Sequence, residues 1–208
     1  MKLVVATTNS GKLREILNIL QGAPVELVSL EAFPVVPEPA ETGETFAENA
    51  RLKALYYAEA TGLPSVADDS GLEIEELGNA PGVHSARWHG TDYGLKFAKI
   101  YELLREHRVA TSPARFVCHV ALARAGRIVY ETTGVIEGFV APEPKGTNGF
   151  GYDPIFYYPP FNATLAELDL ARKASVSHRG KAFAALRGHL IDAMAELEAE
   201  VGEDTEKS

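Results

Sequence analysis

Apolar positions along the chain fall into short runs near the N-terminus and helical stripes between them. Lys2–Ala6 reads KLVVA, a nearly continuous apolar run of the kind a strand buried on both faces requires. After the polar TTNSGK, Leu13, Ile16, Leu17 and Leu20 recur at helical spacing, which predicts a helix capped by Asn9 or Ser10. Val25–Leu30 is a second strand, and the proline-rich segment 33–43 must be an extended loop. Thr45-Phe-Ala-Glu48 has the spacing of a capping box and opens a helix to about Thr61. Ser65–Ala67 is a short strand ending at Asp68-Asp69-Ser70-Gly71.

Glycine and proline then punctuate residues 78–85, and Thr91 to about His107 reads as a helix interrupted in composition by Gly94. Arg115–Ala123 and Ile128–Ile136, separated by Arg-Ala-Gly-Arg, predict a hairpin. A glycine-rich loop, Gly146–Gly151, precedes Tyr152–Phe156. From Arg179 onward Phe183, Leu186, Leu190, Met194 and Leu197 form one helical stripe, and the terminal GEDTEKS reads as a solvated tail. Strands and helices that alternate early and a hairpin in the middle make this an α/β chain with a mixed sheet. No segment resembles a linker, so residues 1–200 are expected to form one domain and 201–208 the tail.

Composition narrows the function. The chain has 208 residues, 46% of them hydrophobic, which is enough for a sizeable core. A net charge of −9 argues against binding a nucleic-acid polymer, although a few well-placed cations and a metal suffice for one triphosphate. No run approaches the roughly 20 apolar residues of a membrane span, and the N-terminus is too short in apolar residues for a signal peptide. A cytoplasmic location follows as the expectation. The one cysteine, Cys118, sits in an apolar run and reads as a core residue, with no partner for a disulfide.

Five patches carry candidate chemistry. The turn Thr7-Thr8-Asn9-Ser10-Gly11-Lys12 joins a strand to a helix, where free N–H groups and the helix dipole suit a phosphate. It lacks the upstream glycine of a P-loop, and Leu13 follows the lysine where Ser or Thr would be needed. Asp68 and Asp69 close an apolar strand, where two adjacent carboxylates call for a cation or hydrogen bonds; alternation aims them to opposite sides. Glu41, Glu44 and Glu48 are further acidic candidates, Glu48 doubling as the capping-box partner. Asn49 and Lys53, four apart, share a helix face. Glycines on both sides of Phe150 allow its ring to be presented to a flat ligand, with Asp153 beside it. Lys173, His178, Arg179 and Lys181 gather cations about a helix start, an arrangement that calls for an anion. Each patch also has a plain structural reading as cap, turn or solvated surface.

Their joint order is more specific than any one of them. ATTNSGK, ETGETFAENARLKA, ADDSGLEIEEL, APGVHSARW, GTNGFGYDPIF and SVSHRGKA together resemble the inosine triphosphate pyrophosphatase family, the dITP/XTP pyrophosphatases, from residue 6 to residue 182. One departure is that Thr8 stands where the family usually has glycine. The resemblance implies an elongated mixed β-sheet with flanking helices, two lobes around a central nucleotide cleft, and a homodimer. It implies a purine nucleoside triphosphate as substrate and Mg²⁺ as cofactor, held by Glu41 and Asp69. It further implies triphosphate contacts from Thr7–Lys12 and Lys53, and a substrate contact from Ser70. Phe150 would stack on the base beside Gly151, Tyr152 and Asp153, with Lys173, His178 and Arg179 closing around it. Asp69 would take the proton of a water attacking the α-phosphorus, while Lys12 and Lys53 stabilise the leaving pyrophosphate. A pocket that donates to the purine 6-carbonyl would reject adenine. A pyrophosphatase for other modified nucleotides and a non-catalytic nucleotide sensor are the competing readings.

Overall fold

The computed structural model describes residues 1–206, with side chains through residue 193. Strand β1 (Lys2–Val5) leads into helix α1 (Ser10–Ile19), capped by Asn9, whose Oδ1 accepts from the Lys12 N–H at 3.0 Å. Ser10 is the first helical residue and does not cap. After β2 (Glu26–Ser29), helix α2 (Phe46–Thr61) opens on the expected capping box: Thr45 Oγ1 accepts from Glu48 N, and Glu48 accepts from Thr45 N. Glu48 is thereby committed to the helix end.

The main departure from the sequence reading is β3 (Ser65–Ile74), which does not stop at Ala67. It runs on through Asp68–Gly71 because β5 (Pro113–Arg124) offers an unbroken antiparallel partner from Ser65↔Ala123 to Ile74↔Ala114. Gly71 marks close approach and not a turn, since a Cβ there would lie 2.3 Å from the Gly82 carbonyl oxygen. The minimal strand β4 (Ala80–Pro81) folds back on the end of β3, and α3 (Tyr93–Glu106) follows with Asp92 as its cap. The hairpin of β5 with β6 (Arg127–Val140) turns on Ala125 and Gly126, both with φ positive, as a two-residue turn between twisted strands demands. Short strands β7 (Phe156–Tyr158) and β8 (Ala163–Thr164) complete the sheet.

Helix α4 (Leu170–Val176) was not foreseen, being too short to show a stripe, and Ser177 separates it from α5 (His178–Glu206). The helix thus continues over most of the segment expected to be a tail. The solvation of that tail, and the parts of Met194 and Leu197 in the expected stripe, lie outside the described side chains.

The eight strands form one mixed sheet in the order β2-β1-β3-β5-β6-β7-β8, with β4 beside β3; β1 is parallel to both β2 and β3, and the other pairings are antiparallel. Two apolar masses flank it at opposite ends. Near β1, the apolar face of α1 and Phe183, Leu186 and Leu190 of α5 cover one face, while Ala50, Ala54 and Tyr57 of α2 cover the other. Beyond them, Leu72, Ile74, Ile100, Leu104, Phe116 and Phe156 build a second core under α3. Strands β3 and β5 pass from one core into the other, so the cores share one sheet, the mixed α/β arrangement expected. Cys118 is fully buried, as its apolar run predicted.

Candidate active site

The cleft is a consequence of how β3 is paired. On one edge β3 meets β1 only at Val4↔Ser65 and Val5↔Val66, and meets β4 only at Glu73↔Pro81 and Ile74↔Ala80. Between those contacts the edge from Ala67 to Leu72 has no strand neighbour among the described residues, and the chain after β1 diverges into the Thr7–Lys12 turn. Open α/β sheets bind ligands at such a divergence. Two cavities adjoin there. An outer one of about 530 Å³ is lined by Thr7–Asn9, Lys12, Glu41, Lys53 and Arg87 among others. An inner one of about 100 Å³ is lined by Ser70, Ser85, Phe116, Phe150, Tyr152 and His178 among others. Asn9, Lys12, Glu41 and Ala86 border both.

Alternation along β3 separates the two aspartates as expected, and the separation gives them different partners. Asp68 turns toward α1 and α5, accepting from Lys12 Nζ and Arg179 Nη2, each at 3.1 Å, and from Ser70 Oγ. Burial opposes its charge, yet Lys12 and Arg179 hold its carboxyl far below the ordinary range. Asp69 turns toward α2, accepting from Lys53 Nζ at 2.8 Å and Asn49 Nδ2 at 3.4 Å. There burial outweighs Lys53 and pushes the carboxyl upward. The Asn49–Lys53 face read from sequence therefore converges on one carboxylate.

Lys53 also donates to Glu41 at 2.6 Å, and Arg87 donates to the other Glu41 oxygen at 2.9 Å. Glu41 feels burial first, but Lys53 and Arg87 keep it charged and lowered. Glu41 and Asp69 thus share one ammonium, from a loop and a strand that no local pattern of residues brings together. Among the described residues no group of three or more His, Cys, Asp or Glu side chains could hold a metal by itself. Two hard carboxylate oxygens converging on a common cation do suit Mg²⁺, provided that substrate oxygens and waters complete its shell. Glu44 is exposed and joins neither cavity.

The phosphate-turn residues are gathered at the outer cavity, with qualifications. Thr7 Oγ1 accepts from Asn9 N at 3.2 Å, and the Thr8 hydroxyl donates to Glu38. Ser10 is exposed. Gly11 lies against the Phe150 ring, where a Cβ would come within 2.7 Å of it. That contact, with Lys173 Nζ 5.0 Å and Arg179 Cζ 5.5 Å from the ring centroid, fixes Phe150 over the cavity floor. Gly151 has φ +66° and lets the chain turn beneath the ring. Tyr152 lines the inner cavity but belongs to the second core, its hydroxyl donating to Ser85 O at 2.9 Å. Asp153 accepts from the Phe150 N–H at 2.8 Å and pairs with Lys173.

The cation cluster at the last helices was expected to need an external anion. The protein supplies the anions itself. Glu15, 5% exposed on α1, accepts from Lys173 at 2.6 Å and from Arg179 at 2.8 Å, and Asp68 and Asp153 take the remaining charge. Sequence reading missed Glu15; its position one turn beyond Lys12, at the flank of the apolar stripe, was the available signal. Lys181 instead donates to Val135 O. His178 stacks on Phe116 at 4.6 Å and 11°, and burial, then Arg179 and Lys173, hold its pKa well below the ordinary value. Its Nδ1 and Arg179 Nε are buried without a partner among the described residues. Two polar groups left so in an aromatic cavity are suited to the edge of a heteroaromatic ligand.

Comparison with known proteins agrees with this geometry. Residues 3–189 match the model of the Ham1 family. The chain is 48% identical over 191 residues to a dITP/XTP pyrophosphatase of Geobacter sulfurreducens, covering 91% of this chain and 96% of that one. It is 47% identical over 193 residues to a dITP/XTP pyrophosphatase of Streptomyces coelicolor, covering 89% and 94%. The solved structure of a HAM1 protein from Coxiella burnetii superposes with a TM-score of 0.85 at 41% identity, covering 92% of this chain and 99% of that one.

Proposed function

The chain belongs to the Ham1 family, and from that premise we propose that it hydrolyses deaminated purine nucleoside triphosphates (ITP, dITP and XTP) to the monophosphate and pyrophosphate. The observation that carries the assignment to this site is the Glu41–Lys53–Asp69 bridge, at a cation-lined cavity joined to an aromatic one. The outer cavity takes the triphosphate and the inner one the base.

In this reading Glu41 and Asp69 would hold Mg²⁺, which when bound neutralises triphosphate charge and acidifies a water. Asp69 orients the attacking water and takes its proton; a carboxyl already held above its ordinary pKa by burial is a better proton acceptor than an exposed one. The oxygen of that water bonds to the α-phosphorus and the bond to the bridging oxygen breaks, with the electron pair leaving on pyrophosphate. Lys12 and Lys53, released in part from Asp68 and Asp69 by the incoming phosphates, stabilise that leaving charge. Thr8, Ser10 and Gly11 present main-chain N–H groups to the phosphates beside the side chains of Thr7 and Asn9, whose own N–H groups are bonded to Val5 O and Thr7 Oγ1, and Ser70 meets the sugar–phosphate end.

Phe150 stacks on the purine, with Gly151 to Asp153 beneath it. Arg179 Nε and a neutral His178 face the ring edge, where a donor matched to a 6-carbonyl would oppose the amino group of adenine. That mismatch is worth roughly 1–3 kcal/mol. Lys173 braces this wall through Glu15 and Asp153. The family resemblance supports reading residues 1–200 as one two-lobed domain that acts as a homodimer in the cytosol. No described helix is long and apolar enough to cross a membrane.

Pyrophosphate release from ITP, XTP, dUTP and ATP, with and without Mg²⁺, tests the proposal. Equal rates on all four would defeat the selectivity, and tight ITP binding without turnover would favour a sensor.

A further inference from the structure

One buried charge beside the cleft is unused by that mechanism. Lys96, on α3, is fully buried, and its Nζ donates to the carbonyls of Ser85 at 3.0 Å and Ala86 at 2.7 Å. It also lies 4.3 Å from the Tyr93 ring centroid and 5.6 Å from that of Tyr152. All four of those residues line the inner cavity, so Lys96 sits directly behind its wall. The lysines and arginines that line the cleft are each ion-paired with a carboxylate, but Lys96, behind the wall, has no such partner among the described residues. An unpaired ammonium out of water costs several kcal/mol, offset here by two carbonyls and an aromatic face. Burial lowers the Lys96 pKa, but the two carbonyls and the aromatic face hold the ammonium, and its positive charge lies next to the ligand cavity with little water to screen it.

We propose that Lys96 is a specificity-determining residue that favours purine bases carrying a negative charge, xanthine foremost, over neutral hypoxanthine. The inference rests on the base occupying the inner cavity, as in the reading above. Its chemistry is simple. Xanthine, with carbonyls at both positions 2 and 6, loses a ring proton near neutral pH, whereas hypoxanthine stays neutral well into the alkaline range. The groups facing Lys96 do not confound this. Tyr93 and Tyr152 are held above the ordinary phenol range by burial, and Asp153, next in the chain, is paired to Lys173. From the 82–86 segment the ammonium is bonded to the main-chain oxygens of Ser85 and Ala86.

The test compares kcat/KM for XTP and ITP in the wild type, Lys96→Met and Lys96→Arg, at pH values below and above the ionisation of xanthine. In the wild type the XTP/ITP ratio should rise on the order of tenfold across that range, as expected for one charge acting at short distance in a partly buried site. Lys96→Met should abolish most of the rise, and Lys96→Arg should keep it. A flat wild-type ratio, a rise that survives in Lys96→Met, or a ratio lost equally in both variants would overturn the proposal. Calorimetric binding of XMP and IMP to the wild type needs no variant to fold. XMP must gain on IMP over the same pH range, and parallel affinities would refute the role of charge. If the wild type turns over neither triphosphate, the pyrophosphatase reading fails on its own, and the same calorimetry repeated on Lys96→Met, where the gain of XMP must disappear, still judges Lys96.

Discussion

Replacing Asp69 by asparagine separates catalysis from folding at one atom. Asp69 is buried, with its carboxylate shared between Lys53 at 2.8 Å and Asn49 at 3.4 Å. Removing one partner of a buried ion pair ordinarily costs about 3–5 kcal/mol, because the other charge is stranded. Lys53 is not stranded, since Glu41 remains 2.6 Å away. The lost carboxylate was also one that burial disfavours, so its neutralisation recovers desolvation energy. The net change in stability should be no more than about 1 kcal/mol, or a Tm shift of about 2–4 °C for a chain of this size. Turnover should fall by roughly 10²–10⁴, the range associated with a positioned acid–base group. Pyrophosphate release under saturating ITP and a thermal melt on the same preparation measure both. A loss of less than tenfold with an intact melt would remove Asp69 from the chemistry. A melt lowered by more than about 10 °C would show that Glu41 does not keep Lys53 satisfied.

Three further outcomes follow from the same geometry. Glu15→Ala strands Lys173 and Arg179, which it holds at 2.6 and 2.8 Å, so it should cost about 3–5 kcal/mol in a denaturant titration and raise KM for ITP. His178 has a pKa well below that of the unfolded chain, about 6.5, so its contribution is full above that pH and is lost as pH falls toward the folded value. Urea midpoints between about pH 7 and pH 5 should fall less steeply in His178→Gln than in the wild type, with His119, also lowered by burial, retaining its own share. In Gly134→Ala, a Cβ 2.1 Å from the His178 carbonyl oxygen and 2.7 Å from Ala182 N must push the start of α5 off the sheet. Its Tm should drop and its KM for ITP rise together, whereas a change in neither would mean that α5 can shift without disturbing the base wall.

Local structure was legible in the chain where the determining contacts are local. The capping box at Thr45 and Glu48, the Asn9 cap, the hairpin turn and the buried run of β1 all depend on residues within a few positions of one another, and each forms as its pattern predicts. The same holds for the spacing that puts Asn49 and Lys53 on one face. The ordered motifs added the family, and with it the residues gathered around the cleft. Electrostatics was not legible. Glu15 meets Lys173 across 158 positions and Arg179 across 164, and no periodicity records such a pairing.

What the sequence by itself determined is therefore the set of elements, the α/β class and the kinds of side chain available for phosphate, metal and base. Only the tertiary structure decided that β3 continues through Asp68–Gly71, because a strand end is set by whether a partner edge is present and not by composition. It also decided that the cation cluster is neutralised from within, and that Lys96, behind the cleft wall, has no carboxylate partner among the described residues. Those are matters of which charges share a low-dielectric space, and that space exists only once the helices have packed on the sheet around it.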